Sequence, residues 1–278
     1  MTKRNIKLIG LDLDGTLLDS DKVFTEYSRG VIAEALRQGI IVLPATGRPA
    51  SGIPAEVMKF PGIRYALTSN GARVLDMQEE RVLYERLIPY EPGERLLEIL
   101  QKYNALLEIY YDGIGYASEK DLKVVERYMP SAPMVKYILN TRRPVEDVRR
   151  MYRREHRPAD KIQALFASQE ERKDAFFEAE EKVPEITVCG ALSNNLEANA
   201  KEANKGTALI KLGEILGIAR EEIMACGDGS NDLEMVKQAG IGVAMSNAVD
   251  EVKEAADYVT LSNDEDGAAR AIEKYVLK

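Results

Sequence analysis

Histidine occurs once in this 278-residue chain, as His156, and tryptophan does not occur at all. A lone imidazole argues against a serine-histidine-aspartate triad and against a histidine-rich zinc site. The only cysteines, Cys189 and Cys226, lie far apart, which speaks against a disulfide framework. No apolar span approaches the roughly 18 residues of a membrane helix, and the N-terminus lacks an apolar signal core. A soluble, cytoplasmic protein is the expectation. Positive charge is also in short supply, with 38 Lys and Arg against 46 Asp and Glu and a net charge of -8. A surface that tracks phosphates needs a basic excess, so neither nucleic acid nor an anionic membrane is an expected partner. A small anionic substrate stays possible if a few cations are placed locally. Chemistry in such a chain falls to its carboxylates.

The run from Leu8 to Asp19 holds the first of them. Ile6, Leu8 and Ile9 belong to an almost wholly apolar segment, as expected of a strand buried on both faces of a parallel sheet. It ends in Asp12-Leu13-Asp14-Gly15-Thr16. Residues two apart on a strand project to one side, so Asp12 and Asp14 can both lean into the crevice beyond the strand's carboxyl end, where open α/β sheets bind ligands. A plain Asp-Gly turn would explain the charges alone, yet the apolar pair Leu17-Leu18 follows at once. A second segment, Cys226-Gly-Asp228-Gly229-Ser-Asn231-Asp232, has the same character. One helix cap is expected there, but a cap needs only one such residue. If the two strand ends are neighbours, four carboxylates converge and their repulsion calls for a counter-ion. Oxygen donors without Cys or His indicate a hard cation, with Mg2+ favoured over Ca2+ because few carboxylates leave room for water and a substrate phosphate.

Between these segments the pattern changes twice. Up to about residue 85 strands alternate with helices: a helix over 27–38 closed by Gly39, a strand over 40–43 ending in Thr46-Gly47-Arg48, and a third strand over 64–68 expected to continue the parallel sheet. A hairpin over 72–87 and the linker-like Ile88-Pro89-Tyr-Glu-Pro92-Gly93 lead into helices and antiparallel-looking strands. From about Ala191 the first pattern is expected to resume, with a helix over 205–216 and a strand over 222–226. The fold expected is α/β, a Rossmann-like parallel-sheet core formed by residues 1–85 and 191–278 with an inserted α+β domain over 86–190. Arg142, Arg143, Arg149, Arg150, Arg153, Arg154 and Arg157 crowd one part of the insert. A helix burying Val145, Val148 and Tyr152 would leave most of them in solvent, and the competing expectation is that one or two clamp a second anionic group of a substrate.

Asp12-Leu-Asp14-Gly15-Thr16 resembles the first motif of the haloacid dehalogenase superfamily of phosphohydrolases, and Gly227-Asp228-Gly229-Ser-Asn231-Asp232 resembles its fourth. By that resemblance Asp12 is the nucleophile and forms an aspartyl-phosphate. Mg2+ would be held by Asp12, the backbone carbonyl of Asp14 and Asp228, with Asp232 supporting the metal shell or holding a lysine. Asp14 would protonate the leaving oxygen and then activate water. Thr46 and Gly47 match the second motif, which holds the phosphoryl oxygens, and Asn231 would contact phosphate too. Lys205, in Asn204-Lys205-Gly206-Thr207, matches the lysine of the third motif, with Lys201 the alternative because the preceding Leu196-Glu-Ala-Asn199-Ala departs from the usual pattern. The insert resembles the large α/β cap of the Cof-type branch, hydrolases of sugar and cofactor phosphates. The resemblance thus implies a Mg2+-dependent phosphatase of small phosphorylated metabolites, such as sugar, cofactor or nucleotide phosphates. A phosphomutase or phosphotransferase using the same aspartate, or a non-catalytic metal- or phosphate-binding protein, is the alternative. Oligomeric state is not legible.

Overall fold

The computed structural model describes residues 5–129, 131–190 and 193–277. The chain forms two compact units, one of Met1–Gly47, Ile53–Glu85 and Asn204–Lys278, the other of Arg48–Gly52 and Arg86–Ala203. The first unit begins with β1 (Leu8–Leu11), α1 (Glu26–Arg37), β2 (Ile41–Pro44), α2 (Ala55–Met58), β3 (Tyr65–Thr68), β4 (Arg73–Asp76) and β5 (Arg81–Glu85). The insert then runs through α3 (Tyr90–Leu100), β6 (Ala105–Tyr111), β7 (Ile114–Ser118), α4 (Glu119–Leu122), α5 (Ala132–Thr141), β8 (Arg142–Val145), α6 (Val148–Glu155), β9 (Lys161–Phe166), α7 (Gln169–Lys182), β10 (Ile186–Cys189) and β11 (Asn195–Ala200). The first unit resumes with α8 (Lys205–Leu216), β12 (Ile223–Gly227), α9 (Leu233–Gln238), β13 (Ile241–Ala244), α10 (Asp250–Ala255), β14 (Tyr258–Val259) and α11 (Gly267–Tyr275).

All four residues of β1 are buried, because the strand lies inside a parallel sheet of order β14-β13-β12-β1-β2 with helices on both faces. Ile9 and Leu11 pack with Val31 and Ile32 of α1 and with Ile272 of α11. Leu8 faces the other way, toward Leu209 and Leu212 of α8. Between them Gly10 lets α8 come close, since a Cβ there would stand 2.8 Å from a Leu209 methyl carbon. Leu11 is level with Cys226 of β12 and Pro44 of β2. Neighbouring strands are about 4.8 Å apart, so the residues that follow β1, β2 and β12 emerge side by side at one edge. β3 does not extend the parallel ladder as expected: it touches the strand end after β2 through a single bridge, Ala45 to Leu67, and otherwise belongs to the antiparallel sheet β3-β4-β5. After β3 the left-handed backbone at Ser69 and Asn70 sends the chain straight back into β4.

The insert contains a six-stranded sheet of order β10-β11-β9-β6-β7-β8, antiparallel except for the β7–β8 pair. One face, with Ile109, Tyr111, Ile162, Ala164, Leu196 and Ala198, is packed by Leu96 and Leu100 of α3, Tyr152 of α6 and Ala175 of α7. Two expectations are corrected here. The linker-like 88–93 segment is already helical from Tyr90, with Pro92 and Gly93 in the first turn, where an amide proton is not needed for the ladder. The expected return to the core at 191 falls on residues 191–192, which lie outside the described residues, and residues 195–200 are a strand of the insert, paired with β10 and β9. The two-residue alternation of Leu196, Ala198 and Ala200 with Asn195, Glu197 and Asn199 is that of a strand with one apolar face, and the unit ends at Ala203. No described helix is long and apolar enough to cross a membrane.

The arginine-rich stretch divides. Val148, Met151 and Tyr152 are the buried side of α6. Arg150, Arg153, Arg154 and Arg157 pair outward with Glu146, Glu94, Glu155 and Asp112. Arg142 is different: it starts β8, is 7% exposed, and its guanidinium makes two bonds to Glu108, of 2.7 and 3.1 Å, with the Tyr110 and Tyr137 rings each 5.2 Å away. Removing one member of such a pair strands the other charge in a dry interior, which typically costs about 3–5 kcal/mol. Arg142→Met should lower stability by about that much in urea unfolding, and adding Glu108→Leu should recover most of it. A single variant as stable as the parent would contradict this account of the pair.

Candidate active site

The site grows out of the end of β1. The Asp12 amide donates to the Cys226 carbonyl at 3.0 Å, extending the ladder by one residue and leaving the Asp12 carboxylate just past the sheet edge, 6% exposed. The chain then turns back: the Leu17 amide bonds the Asp12 carbonyl at 3.2 Å and the Leu18 amide bonds that of Leu13 at 2.9 Å. Buried Leu17 and Leu18 anchor the turn in the core, which explains the apolar pair so soon after the charges. Gly15 has φ +85°, and a Cβ on it would lie 2.4 Å from an Asp228 carboxylate oxygen. Glycine therefore meets both the left-handed backbone and the close approach of Asp228. Thr16 donates its hydroxyl to the same carboxylate at 2.7 Å.

Asp228 follows β12, the strand beside β1. Four residues on, Asp232 turns back over its own loop, and one of its oxygens accepts the amides of Asp228 and Gly229, both at 3.0 Å. Its other oxygen accepts from Lys205 Nζ at 2.6 Å, and the same Nζ donates to Asp12 at 2.6 Å. Lys205 is the first residue of α8, where Asn204 caps the helix by accepting the Thr207 amide at 2.8 Å. The lysine is fully buried. Lys201, the alternative, is exposed in the turn after β11, its amide bonded to Glu185.

Three aspartates against one lysine leave two surplus negative charges if all ionise. Burial, chiefly, holds the Asp12 carboxyl well above the usual range; Lys205 opposes this, and the charges of Asp232, Asp228 and Asp14 add to it. Asp228 is pushed up to about 6, first by burial, with the Thr16 hydrogen bond resisting and Asp232 adding repulsion. Burial works against the Lys205 cation, but Asp12 and Asp232 outweigh it and raise its proton affinity. With two anions at 2.6 Å, Lys205 is the settled charge of the site, and the unrelieved charge sits on Asp12 and Asp228. Carboxylate oxygens of Asp12, Asp228 and Asp232 lie within 4.8 Å of one another, near enough for one ion to bridge. All the donors are hard oxygens, which suits a hard divalent cation. Cys226 next door is no competitor, because burial pushes its thiol up to about 12.

The Asp14 side chain is not part of this cluster. Its carboxylate, 38% exposed, is paired with Lys22 at 2.9 Å. Thr46 and Gly47 follow β2; Thr46 is buried, its amide bonded to Leu67 and its carbonyl to the Asn70 amide. Asn231 donates its side-chain amide to Asn70 Oδ1 at 3.0 Å, and a Cβ on Gly47 would stand 2.6 Å from that oxygen. Asn70 thus joins the second and fourth motifs, a part that sequence reasoning missed. The signal was the Ser69-Asn70-Gly71 triplet after a buried strand, where Asn70 adopts φ +58°. Asn tolerates that region better than most residues.

The profile of the haloacid dehalogenase-like hydrolases matches residues 9–272. The 5-amino-6-(5-phospho-D-ribitylamino)uracil phosphatase YcsE of Bacillus subtilis is 31% identical over 275 residues, which cover 98% of this chain and 97% of that protein. Phosphatase YwpJ of the same organism is 29% identical over 289 residues, 98% of this chain and all of the relative. Among solved structures, a haloacid dehalogenase-like hydrolase from B. subtilis superposes with a TM-score of 0.84 at 29% identity, over 98% of this chain and 100% of that one. The HAD subclass IIB sugar phosphatase BT4131 does so with a TM-score of 0.82 at 25% identity, over the same shares. Because these likenesses run through the insert as well as through the sheet that bears the carboxylates, the chain belongs to the haloacid dehalogenase-like hydrolases, in their subclass IIB or Cof-type branch.

Proposed function

We propose that this protein is a Mg2+-dependent phosphatase that hydrolyses phosphate monoesters of small metabolites through an aspartyl-phosphate on Asp12. The observation that carries the reading is the pairing of Asp12 with a buried lysine at 2.6 Å beside Asp228 and Asp232, a nucleophile set in a site that tolerates added negative charge only with a cation. A carboxylate needs no base to attack, so the task left to the protein is to orient it and to offset repulsion between two anions. Asp12 would attack phosphorus as the ester P–O bond breaks, and Asp14 would give its proton to the departing oxygen. Asp14 would then take a proton from water, whose oxygen attacks phosphorus and frees Asp12 and inorganic phosphate. Lys205 neutralises Asp12 and the incoming phosphoryl group, while Thr46, Gly47 and Asn231 would hold its oxygens. Mg2+ would be held by Asp12, Asp228 and the Asp14 carbonyl, and when bound it supplies charge neutralisation at the reacting phosphate. Asp232 has both oxygens engaged with Lys205 and two amides, which suits a supporting part.

The insert resembles the cap of this branch. Its two buried cations among the described residues, Arg142 and Lys161, are each ion-paired, with Glu108 and Glu197. By likeness to those relatives the leaving group is a small polyhydroxylated one. Sugar phosphates and the phosphoribityl compound named for YcsE fit this description. The decisive assay is release of inorganic phosphate from a panel of phosphorylated sugars, polyols, nucleotides and cofactors with no acceptor present. A phosphotransferase would give little phosphate until a sugar hydroxyl is supplied.

Asp12→Asn should lower turnover by about a thousand-fold or more, the usual scale for losing a covalent nucleophile. Keeping a tenth of the parent rate would end the covalent mechanism. Chelation should abolish activity and Mg2+ restore it. Because Asp228 titrates near 6, protons compete with the ion, and the apparent Mg2+ affinity should weaken as pH falls through 6. Without metal, a carboxyl whose folded value is raised contributes stability below its unfolded value and loses it as pH rises through about 6. The rise in Tm on adding Mg2+ should therefore be larger at pH 7.5 than at pH 5, and an equal rise at both would refute the assignment of Asp228.

A further inference from the structure

Gly15 turns the chain between Asp14, which meets Lys22, and Thr16, which holds Asp228. It is also the softest point of that turn, since glycine takes φ +85° without steric guidance and has many other choices. Within the turn the peptide that follows Gly15 is held at its amide end, where Thr16 donates to the Leu13 carbonyl at 3.4 Å, and its carbonyl end is held from outside. The Asn247 side-chain amide donates to the Gly15 carbonyl at 2.9 Å. Asn247 Oδ1 in turn accepts the Asn263 amide at 3.0 Å, and the Asn263 side chain donates to the Leu18 carbonyl at 3.1 Å. Two linked asparagines thus grip the turn at both ends. The loop that carries Asn247 is tied to the other half of the site too: the Met245 amide bonds the Gly227 carbonyl at 3.1 Å and the Val249 amide bonds that of Asp228 at 3.0 Å. Within five residues the loop after β13 fixes the carbonyls of Gly15, Gly227 and Asp228, and so sets the Asp14 turn against the strand end that bears Asp228.

We propose that Asn247 is a positioning residue for proton transfer: by fixing the Gly15 carbonyl it holds Asp14 in register with the ester oxygen that leaves Asp12-bound phosphate. This rests on the reading of Asp14 as the proton donor given above. The chemistry then separates two kinds of ester. An alkyl oxygen, as in a sugar phosphate, must be protonated as it departs, whereas p-nitrophenolate leaves without help. Hydrolysis of the aspartyl-phosphate, which also calls on Asp14, is common to both esters and does not enter kcat/KM, so on that measure a misplaced acid harms the first and largely spares the second, while a general loosening of the site harms both.

The test uses Asn247→Asp, which keeps the acceptor for Asn263 but loses the donor to Gly15, and Asn247→Ala, which loses both. kcat/KM is measured for a sugar phosphate and for p-nitrophenyl phosphate, with Asp14→Asn as the reference. General acid catalysis is worth about 100- to 10,000-fold. Misplacing the acid should make the loss on the sugar phosphate about 10- to 100-fold greater than that on p-nitrophenyl phosphate in both Asn247 variants, and Asp14→Asn should show the same bias more strongly. If Asp14→Asn shows the bias and the Asn247 variants lose both activities equally, or lose neither, the positioning role is overturned while the reading of Asp14 stands. If Asp14→Asn itself shows no bias, the reading of Asp14 fails, and the proposal with it.

Discussion

One buried ammonium stands against three aspartates at the edge of a parallel sheet, and that imbalance governs the site. Lys205 cancels one negative charge at 2.6 Å from both Asp12 and Asp232. What remains cannot relax by moving apart, because each carboxylate is tied: Asp232 to two amides of its own loop, Asp228 to the Thr16 hydroxyl, Asp12 to the β1 end. Water relieves it only in part, since Asp12 and Asp232 are buried and Asp228 is half-buried. The surplus is stored as raised proton affinities on Asp12 and Asp228. A site in this condition takes up a proton or a cation, and near neutral pH a divalent ion has the advantage.

The aspartates share the work unequally. Asp232 has both its oxygens directed inward, so its part is architectural: it orients Lys205 and shapes the loop that presents Asp228. Asp14, partly in solvent and paired with the exposed Lys22, stands apart from the charge cluster. Level strand ends explain how groups from three parts of the chain arrive together. With Leu11, Pro44 and Cys226 in register, the next residues of each strand enter a common space without any long loop having to find its way there.

Sequence reasoning reached what is encoded locally. The strand before Asp12 was legible because burial on both faces leaves an unbroken apolar run, and the carboxylates were legible because charge interrupts that run at fixed spacing. Lys205 was legible as a helix start, and the structure adds Asn204 as its cap. Elements whose meaning depends on a distant partner were not. Asn70 acts through Asn231, 161 residues away, and through a left-handed backbone that the triplet of turn-forming residues only hints at. Arg142 looked like one charge among seven, and what sets it apart is Glu108 on another strand. β11 shows a plain alternation of two faces, but that alternation says nothing of which of two sheets the strand will join.

The insert also imposes an order on synthesis. Asp12 and Lys205 are 193 residues apart, and Thr16 and Asp228 are 212 apart, whereas β6 pairs with β7 across a tight turn. Local pairings of that kind form fast and need little chain, while long-range ones wait for the partner to exist. As the chain leaves the ribosome, the insert is complete before any residue of α8 or β12 has been made. Until then β1 has no neighbour on its β12 side and Asp12 has no counter-charge. The charge cluster is therefore among the last features the growing chain acquires, and a product cut short after the insert carries Asp12 without the lysine and the two aspartates that surround it.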